Sequence, residues 1–245
     1  MTYESPNERT KDFIKNIDLY FNQDGNVVLQ EGRNIIKKVE YEKVEYVVKS
    51  FKKPNIFNKI VYRFFRKSKA NKSYFNSIKI SDFVPKAIGY IEFKKFGFIT
   101  NSYFISEPFN YDFTIREALL DNSFPDRDGI FKAFAKFSFN LHKRDILHLD
   151  YSPGNILIKK IGSSYIFKII DINRMQFKSL ELNERVKNFS KLWAKDEDLT
   201  IIIKEYAQLM DESEDNSLEM ALKYSQAHKN FKNFKKRVKG LKVVD

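Results

Sequence analysis

A chain of 245 residues, 42% hydrophobic and 16% aromatic, is long enough to close one large core or two small ones. Its formal charge of +12 is concentrated: Tyr46 to Ser81 holds ten Lys or Arg and no acid, and Met220 to Val244 is again free of acid. Cysteine is absent, His142, His148 and His228 are scattered, no run approaches the ~20 apolar residues of a membrane span, and the first fifteen residues lack an apolar export core. Disulfides, thiolate chemistry, a structural zinc, a spanning helix and export are therefore not expected.

Met1 to Lys15 is polar and reads as a loose arm or a short helix. Asn26–Gln30, Ile35–Tyr41 and Tyr46–Phe51 are short apolar runs separated by polar turns, which predicts an antiparallel meander. Phe57 to Ile80 reads as a helix broken near Ser68. Ile60, Val61, Phe64 and Phe65 give it an apolar stripe, and Lys59, Arg63, Arg66, Lys67, Lys69 and Lys72 crowd its other face. Such a helix packs on its own core or lies on a membrane surface. Ala87–Glu92 and Phe96–Ile105 read as two more strands, turned at Lys94-Lys95.

Glu107 to Tyr111 interrupts the pattern and reads as a linker between a sheet-rich lobe, residues 1–106, and a mainly helical lobe, residues 107–245. Thr114 to Leu120 is a short helix capped by Thr114 or Asp112, and Asp128 to Lys143 is a long one that buries Ile130, Phe134, Phe137 and Leu141. Leu180–Trp193, Leu199–Met210 and Leu218–Lys239 are helical, with Trp193 as a core anchor and Phe231 and Phe234 among the lysines of the last. The expected class is α+β, with an antiparallel-sheet lobe and a mainly helical lobe.

The chemistry is carried by His148-Leu149-Asp150-Tyr151-Ser152-Pro153-Gly154-Asn155, followed by a predicted hairpin, Ile156 to Ile170, that delivers Asp171. Phosphoryl transfer needs charge neutralisation and alignment more than covalent help. Asp150 is placed to orient an acceptor hydroxyl and take its proton. Asn155 and Asp171 offer the hard oxygens that Mg²⁺ prefers. Lys49, at the end of Val47-Val48-Lys49, is placed to neutralise the phosphates of ATP. Gly32 lies in the turn that would cover those phosphates, although the full glycine-rich pattern is absent. Glu107 opens the segment that would offer backbone groups to adenine. No carboxylate occurs between Glu45 and Asp82, so the helix glutamate that braces the lysine in typical kinases is missing, with Phe75 near its place.

His148 to Asn155 resembles the matching loop of eukaryotic-type kinases and of aminoglycoside and choline kinases. Together with Tyr46-Val47-Val48-Lys49-Ser50-Phe51, Arg66-Lys67-Ser68-Lys69-Ala70, Pro85-Lys86-Ala87-Ile88-Gly89 and Asp171-Ile172-Asn173-Arg174, it is most similar to the bacterial lipopolysaccharide-core sugar kinases, from about Asn26 to Trp193. The motif and the resemblance imply an α+β, bilobal protein-kinase-like fold and an ATP- and Mg²⁺-dependent phosphotransferase acting on Kdo or heptose of a lipid-linked anionic glycan. The resemblance also implies a cytoplasmic protein in peripheral contact with the inner membrane. Leu149 in place of arginine and Asn173 in place of glycine depart from the family pattern. A kinase of protein or of a soluble small molecule, and a pseudokinase binding module, are the alternatives. Nucleic acid is not an expected partner, because no recognised reading module accompanies the basic charge.

Overall fold

In the computed structural model, which describes residues 1–5, 8–52 and 67–240, the first unit is built on a six-stranded antiparallel sheet of order β1-β5-β6-β4-β3-β2. This unit comprises Met1–Asn110 and Asp171–Asn173. Its meander is β2 (Val27–Gln30), β3 (Asn34–Tyr41) and β4 (Val44–Phe51). Glu42 and Lys43 both have positive φ, as a two-residue hairpin turn demands. The next hairpin, β5 (Ala87–Lys95) and β6 (Phe98–Ser106), turns at Phe96-Gly97 with φ of 52° and 78°. The strand therefore runs through the expected Lys94-Lys95 turn, because the glycine two residues later takes a left-handed conformation at little cost.

The N-terminal segment is neither loose nor peripheral. β1 (Thr2–Glu4) pairs with β5, and α1 (Glu8–Lys15) and α2 (Ile17–Phe21) follow it. Phe13, Ile14 and Ile17 are fully buried in one core with Val39, Tyr46, Val48, Ile91, Tyr103 and Ile105. Gly89 makes this possible: a Cβ there would lie 2.4 Å from Ile14 Cδ1 and 2.5 Å from the Glu4 carbonyl. A second core on the other sheet face joins Phe51, Ala87 and Tyr90 to Ala70 and Tyr74 of α3 (Lys69–Lys79). The neighbours Tyr90 and Ile91 serve opposite faces, as the pleat requires. Ser68 caps α3 by accepting the Asn71 N–H, so the helix starts where the expected break lay. The Ile60–Phe65 stripe and Lys59, Arg63 and Arg66 lie outside the described residues.

The second unit comprises Tyr111–Ile170 and Arg174–Asp245. Its short sheet orders β10 (Ser164–Ile169), β9 (Ile156–Ile161) and β7 (Phe113–Thr114). Thr114 caps α4 (Ile115–Leu120) in a reciprocal capping box with Glu117. The central helix α5 (Arg127–Lys143) buries Ile130, Phe131, Phe134 and Leu141 and packs on α7 (Asp196–Met210). Its Arg127 donates to Asp198 at 2.6 Å. β8 (Ile146–His148) leaves α5 and pairs with β11 (Met175–Phe177), and α6 (Leu182–Asn188) leads through a 3₁₀ turn, Phe189–Leu192, toward α7. The last helix, α8 (Glu214–Val238), packs on α6, on that turn and on α7. Trp193 is not a core anchor: it has φ of 57°, remains 40% exposed, and meets His228 of α8 edge-on at 6.1 Å. No helix among the described residues is long and apolar enough to cross a membrane.

Candidate active site

Within the first unit the structure brings Lys49 and Asp171 together. Lys49 stands opposite Ile36 on β3, next to buried Val48, so alternation turns it to the sheet face that carries Phe51. Its Nζ donates to Asp171 Oδ1 at 2.9 Å, and the side chains are 13% and 28% exposed. That shielding strengthens the attraction between the charges, at a desolvation cost that exposed pairs, worth about 0–1 kcal/mol, do not carry. Asn173 Nδ2 donates to the same Oδ1. Asp171 itself adopts φ of 58°, a left-handed conformation uncommon outside glycine and typical of functional sites.

The missing helix glutamate has a structural answer. α3 contains no carboxylate, and Phe75 is 43% exposed with the Lys67 ammonium 5.2 Å from its ring centre. Lys49 takes its counter-charge from Asp171 instead. α3 contributes Asn76, whose Nδ2 donates to the Ile172 carbonyl at 2.6 Å and anchors the segment that carries Asp171. Asn76 does not stand out in the sequence, since it acts through a neutral amide where an acid is expected.

Gly32 lies in the β2–β3 turn with φ of 147°, a conformation restricted to glycine, and open space stands where a Cβ would be. It is four residues before Ile36, the partner of Lys49, a span of roughly 13 Å at the usual rise of a strand. Glu107 follows β6. Its N–H donates to the Lys86 carbonyl at 2.9 Å, and its carboxylate accepts from Lys86 Nζ at 2.7 Å. With that N–H engaged and Pro108 lacking one, the first backbone donor left in the segment belongs to Phe109.

Within the second unit the loop after β8 holds Asp150 and Asn155 together. Asn155 Nδ2 donates to the Asp150 carbonyl at 2.9 Å and to Ser152 Oγ at 3.0 Å. The Asp150 carbonyl can only accept, which fixes the amide orientation and leaves Oδ1 of Asn155 turned away from these bonds. Pro153–Asn155 forms a 3₁₀ turn, with the Asn155 N–H on the Ser152 carbonyl. The Ile170 N–H donates to the Asn155 carbonyl at 3.0 Å, tying the end of the β9–β10 hairpin to the loop one residue before Asp171. The Arg116 guanidinium lies over Gly154, 2.6 Å from where a Cβ would stand, so a side chain there would have to displace it.

The loop rests on a buried polar chain. The Asp150 N–H donates to His148 Nδ1 at 3.0 Å, so His148 carries its proton on Nε2 and donates it to the Ile170 carbonyl at 2.9 Å. Asn188 of α6 donates from Nδ2 to the His148 carbonyl at 3.0 Å. Its Oδ1 accepts from His142 Nε2 at 3.2 Å, and His142 Nδ1 accepts the Tyr206 hydroxyl proton at 2.8 Å. Burial pushes His142 down to about 4, in keeping with the neutral ring this network needs. Fully buried Tyr151 bonds Ser138 at 2.8 Å and stacks on Phe134, and burial pushes its hydroxyl well above the usual range. Tyr151 and Asn188 escaped the sequence reading, since a buried tyrosine and a helical asparagine announce no role.

Among the described residues, no donor is bonded to Oδ2 of Asp171 in the first unit or to Oδ1 of Asn155 in the second. Both are hard donors that suit Mg²⁺. Among the described residues no cluster of three or more His, Asp or Glu side chains forms a metal cage. Mg²⁺ held by one or two protein oxygens and by phosphates needs no such cage.

No protein-family model matches the chain, and no curated protein matches it in sequence. Its fold does match a solved structure described as WaaP in complex with acyl carrier protein, with a TM-score of 0.61, over 94% of this chain and 99% of that one. Identity is 13%, so the likeness is one of fold: the chain has the α+β, kinase-like architecture of WaaP.

Proposed function

We propose that the protein is an ATP-dependent phosphotransferase that phosphorylates an alcohol group on a lipid-linked anionic sugar of the lipopolysaccharide core, Kdo or heptose. The observation that carries the reading is the Lys49–Asp171 pair, formed at the positions that the kinase motif names, on a kinase-like fold. Asp150 orients the acceptor hydroxyl and takes its proton as the oxygen–phosphorus bond forms and the bond to the leaving ADP breaks. Lys49 balances phosphate charge. By the motif, Asn155 and Asp171 would each offer Mg²⁺ an oxygen, and the ion when bound neutralises phosphate oxygens. The Glu107 carbonyl and the Phe109 N–H are the groups we assign to the adenine edge.

The same reading puts the protein at the cytoplasmic face of a membrane. Tyr224, Ala227, Phe231, Phe234 and Val238 recur at three- and four-residue spacing along α8, and Phe231, Phe234 and Val238 are 54%, 62% and 70% exposed. Lys223, Lys235 and Arg237 flank that stripe, with no acid from Met220 to Val244. A second basic copy would be repelled, whereas an anionic lipid surface accepts both the aromatic rings and the charge.

The deciding experiment incubates the protein with γ-labelled ATP, Mg²⁺ and purified lipid-linked core oligosaccharide, with generic protein and free sugars in parallel. Label on the oligosaccharide that is lost in Asp150→Asn is the expected result. Label found only on protein would remove the sugar-kinase reading.

A further inference from the structure

A knot of positive charge stands beside the Asp150 loop, and none of the roles above uses it. Lys187 sits near the end of α6 and Lys191 in the turn that follows, on either side of Asn188, whose amide holds the His148 carbonyl. This fastens both lysines to the loop that carries Asp150. From α8 come His228, with Nδ1 3.4 Å from Lys191 Nζ, and Lys232, one turn further on. Trp193 packs on His228, and the Lys187 ammonium lies 5.5 Å from the ring centre of Tyr224.

No carboxylate of the described residues lies within ion-pair distance of Lys187, Lys191 or Lys232. Glu184 of α6 feels the charge of Lys187 but is bonded by Lys178, and Asp196 of α7 pairs with Lys229 at 3.7 Å. Burial, with Lys232 and Lys187 behind it, lowers Lys191, and the charge of Asp150 opposes them. Burial, Lys191 and Lys232 push His228 down to about 4. Like charges gathered on a partly buried surface disfavour one another, and a bound anion relieves that repulsion.

We propose that Lys187, Lys191, Lys232 and His228 form an anion subsite beside Asp150, which grips a carboxylate or phosphate group of the acceptor while Asp150 faces its hydroxyl. The site is pre-organised: α6 is tied to the loop by Asn188, and α8 is packed on α6. It rests on the sugar-kinase reading and deepens it by holding a charged group of the acceptor beside the loop that carries Asp150. It serves orientation, because a substrate held at two points keeps its hydroxyl aligned.

The test needs no nucleotide, so it stands apart from the transfer assay. Trp193 is the single tryptophan and touches His228, which makes intrinsic fluorescence a reporter of this site. The full chain is titrated at constant ionic strength with glucose 6-phosphate, gluconate and neutral glucose, and the His228 ring is followed by NMR across pH. Saturable fluorescence change with one or both anionic sugars, and a His228 pKa that rises on binding, are expected. The phosphate and carboxylate arms tell which group is held. K191Q/K232Q, checked for an unchanged melting transition, should weaken binding at least tenfold. Silence of both Trp193 and His228, an equal response to glucose, or undiminished affinity in the double variant would overturn the subsite. The kinase reading fails separately, by absence of transfer to any acceptor.

Discussion

Lys49 Nζ donates to Asp171 Oδ1 at 2.9 Å, joining two residues 122 positions apart in the chain. The contact substitutes for the lysine–glutamate brace that α3 lacks. Asp171→Ala should therefore do two kinds of damage: it removes an oxygen meant for Mg²⁺ and leaves the Lys49 ammonium shielded and unpaired. Loss of transfer beyond 10³-fold is expected, with a stability loss of about 1–3 kcal/mol by urea unfolding. Lys49→Met should lose activity by more than 10²-fold. Melting that is unchanged in both variants would show that the pair contributes nothing to the fold.

Asp150→Asn keeps the shape of the loop, because the loop's bonds use the backbone of Asp150. It should abolish turnover while nucleotide affinity by calorimetry stays within threefold. A variant that turns over normally would strip Asp150 of its role as base.

Asn155→Asp separates two jobs of one side chain. The carboxylate still offers an oxygen to a cation but can no longer donate to the Asp150 carbonyl and Ser152 Oγ. The loop should loosen by about 1–3 kcal/mol. We expect kcat at least tenfold lower and a shifted Mg²⁺ half-saturation; Asn155→Ala should be worse on both. If Asn155→Asp matches the parent at every Mg²⁺ concentration, the donor bonds are irrelevant to catalysis.

Acid should weaken the second unit through His142. Its folded value of about 4 lies below the ordinary 6.5, so between those values the unfolded chain binds a proton that the folded one refuses. Its stabilising contribution is whole above about 6.5 and falls as pH drops toward 4. About 2 kcal/mol should be lost between pH 7 and pH 5 on this group's account. His142→Gln should flatten that part of the pH–stability curve measured by chemical denaturation; an equally steep curve in the variant would assign the acid sensitivity to other groups.

Co-sedimentation tests the exposed face of α8. The protein should pellet with vesicles rich in anionic lipid and much less with zwitterionic ones, and binding should fall several-fold in F231S/F234S and at high salt. Equal binding by parent and variant would leave the stripe without a membrane role.

The meander, the β5–β6 hairpin, the central helix and the α+β class were legible because alternation and 3.6-residue periodicity report which face is buried. Lys49 and Asp171 were legible because the motif spacing places them. The N-terminal segment was legible as a short helix but not as part of the core: Phe13, Ile14 and Ile17 are diluted by charged neighbours, and the glycine that admits them, Gly89, is 75 residues from Ile14. Asn76, Tyr151 and Asn188 act through backbone carbonyls and hydroxyls, which leave no periodic trace. Trp193 misled because its size suggests the interior, whereas its left-handed backbone turns it to the edge of α8.

The pairing of Thr2–Glu4 with β5 has a consequence for how the protein is made. Thr2–Glu4 find their place beside residues 90–92, which are translated later, so this strand leaves the ribosome before its partner exists. The core of Phe13, Ile14 and Ile17 is complete only once Ile91, Tyr103 and Ile105 have also been translated. Slowing translation across residues 87–106 should lengthen the interval before it closes.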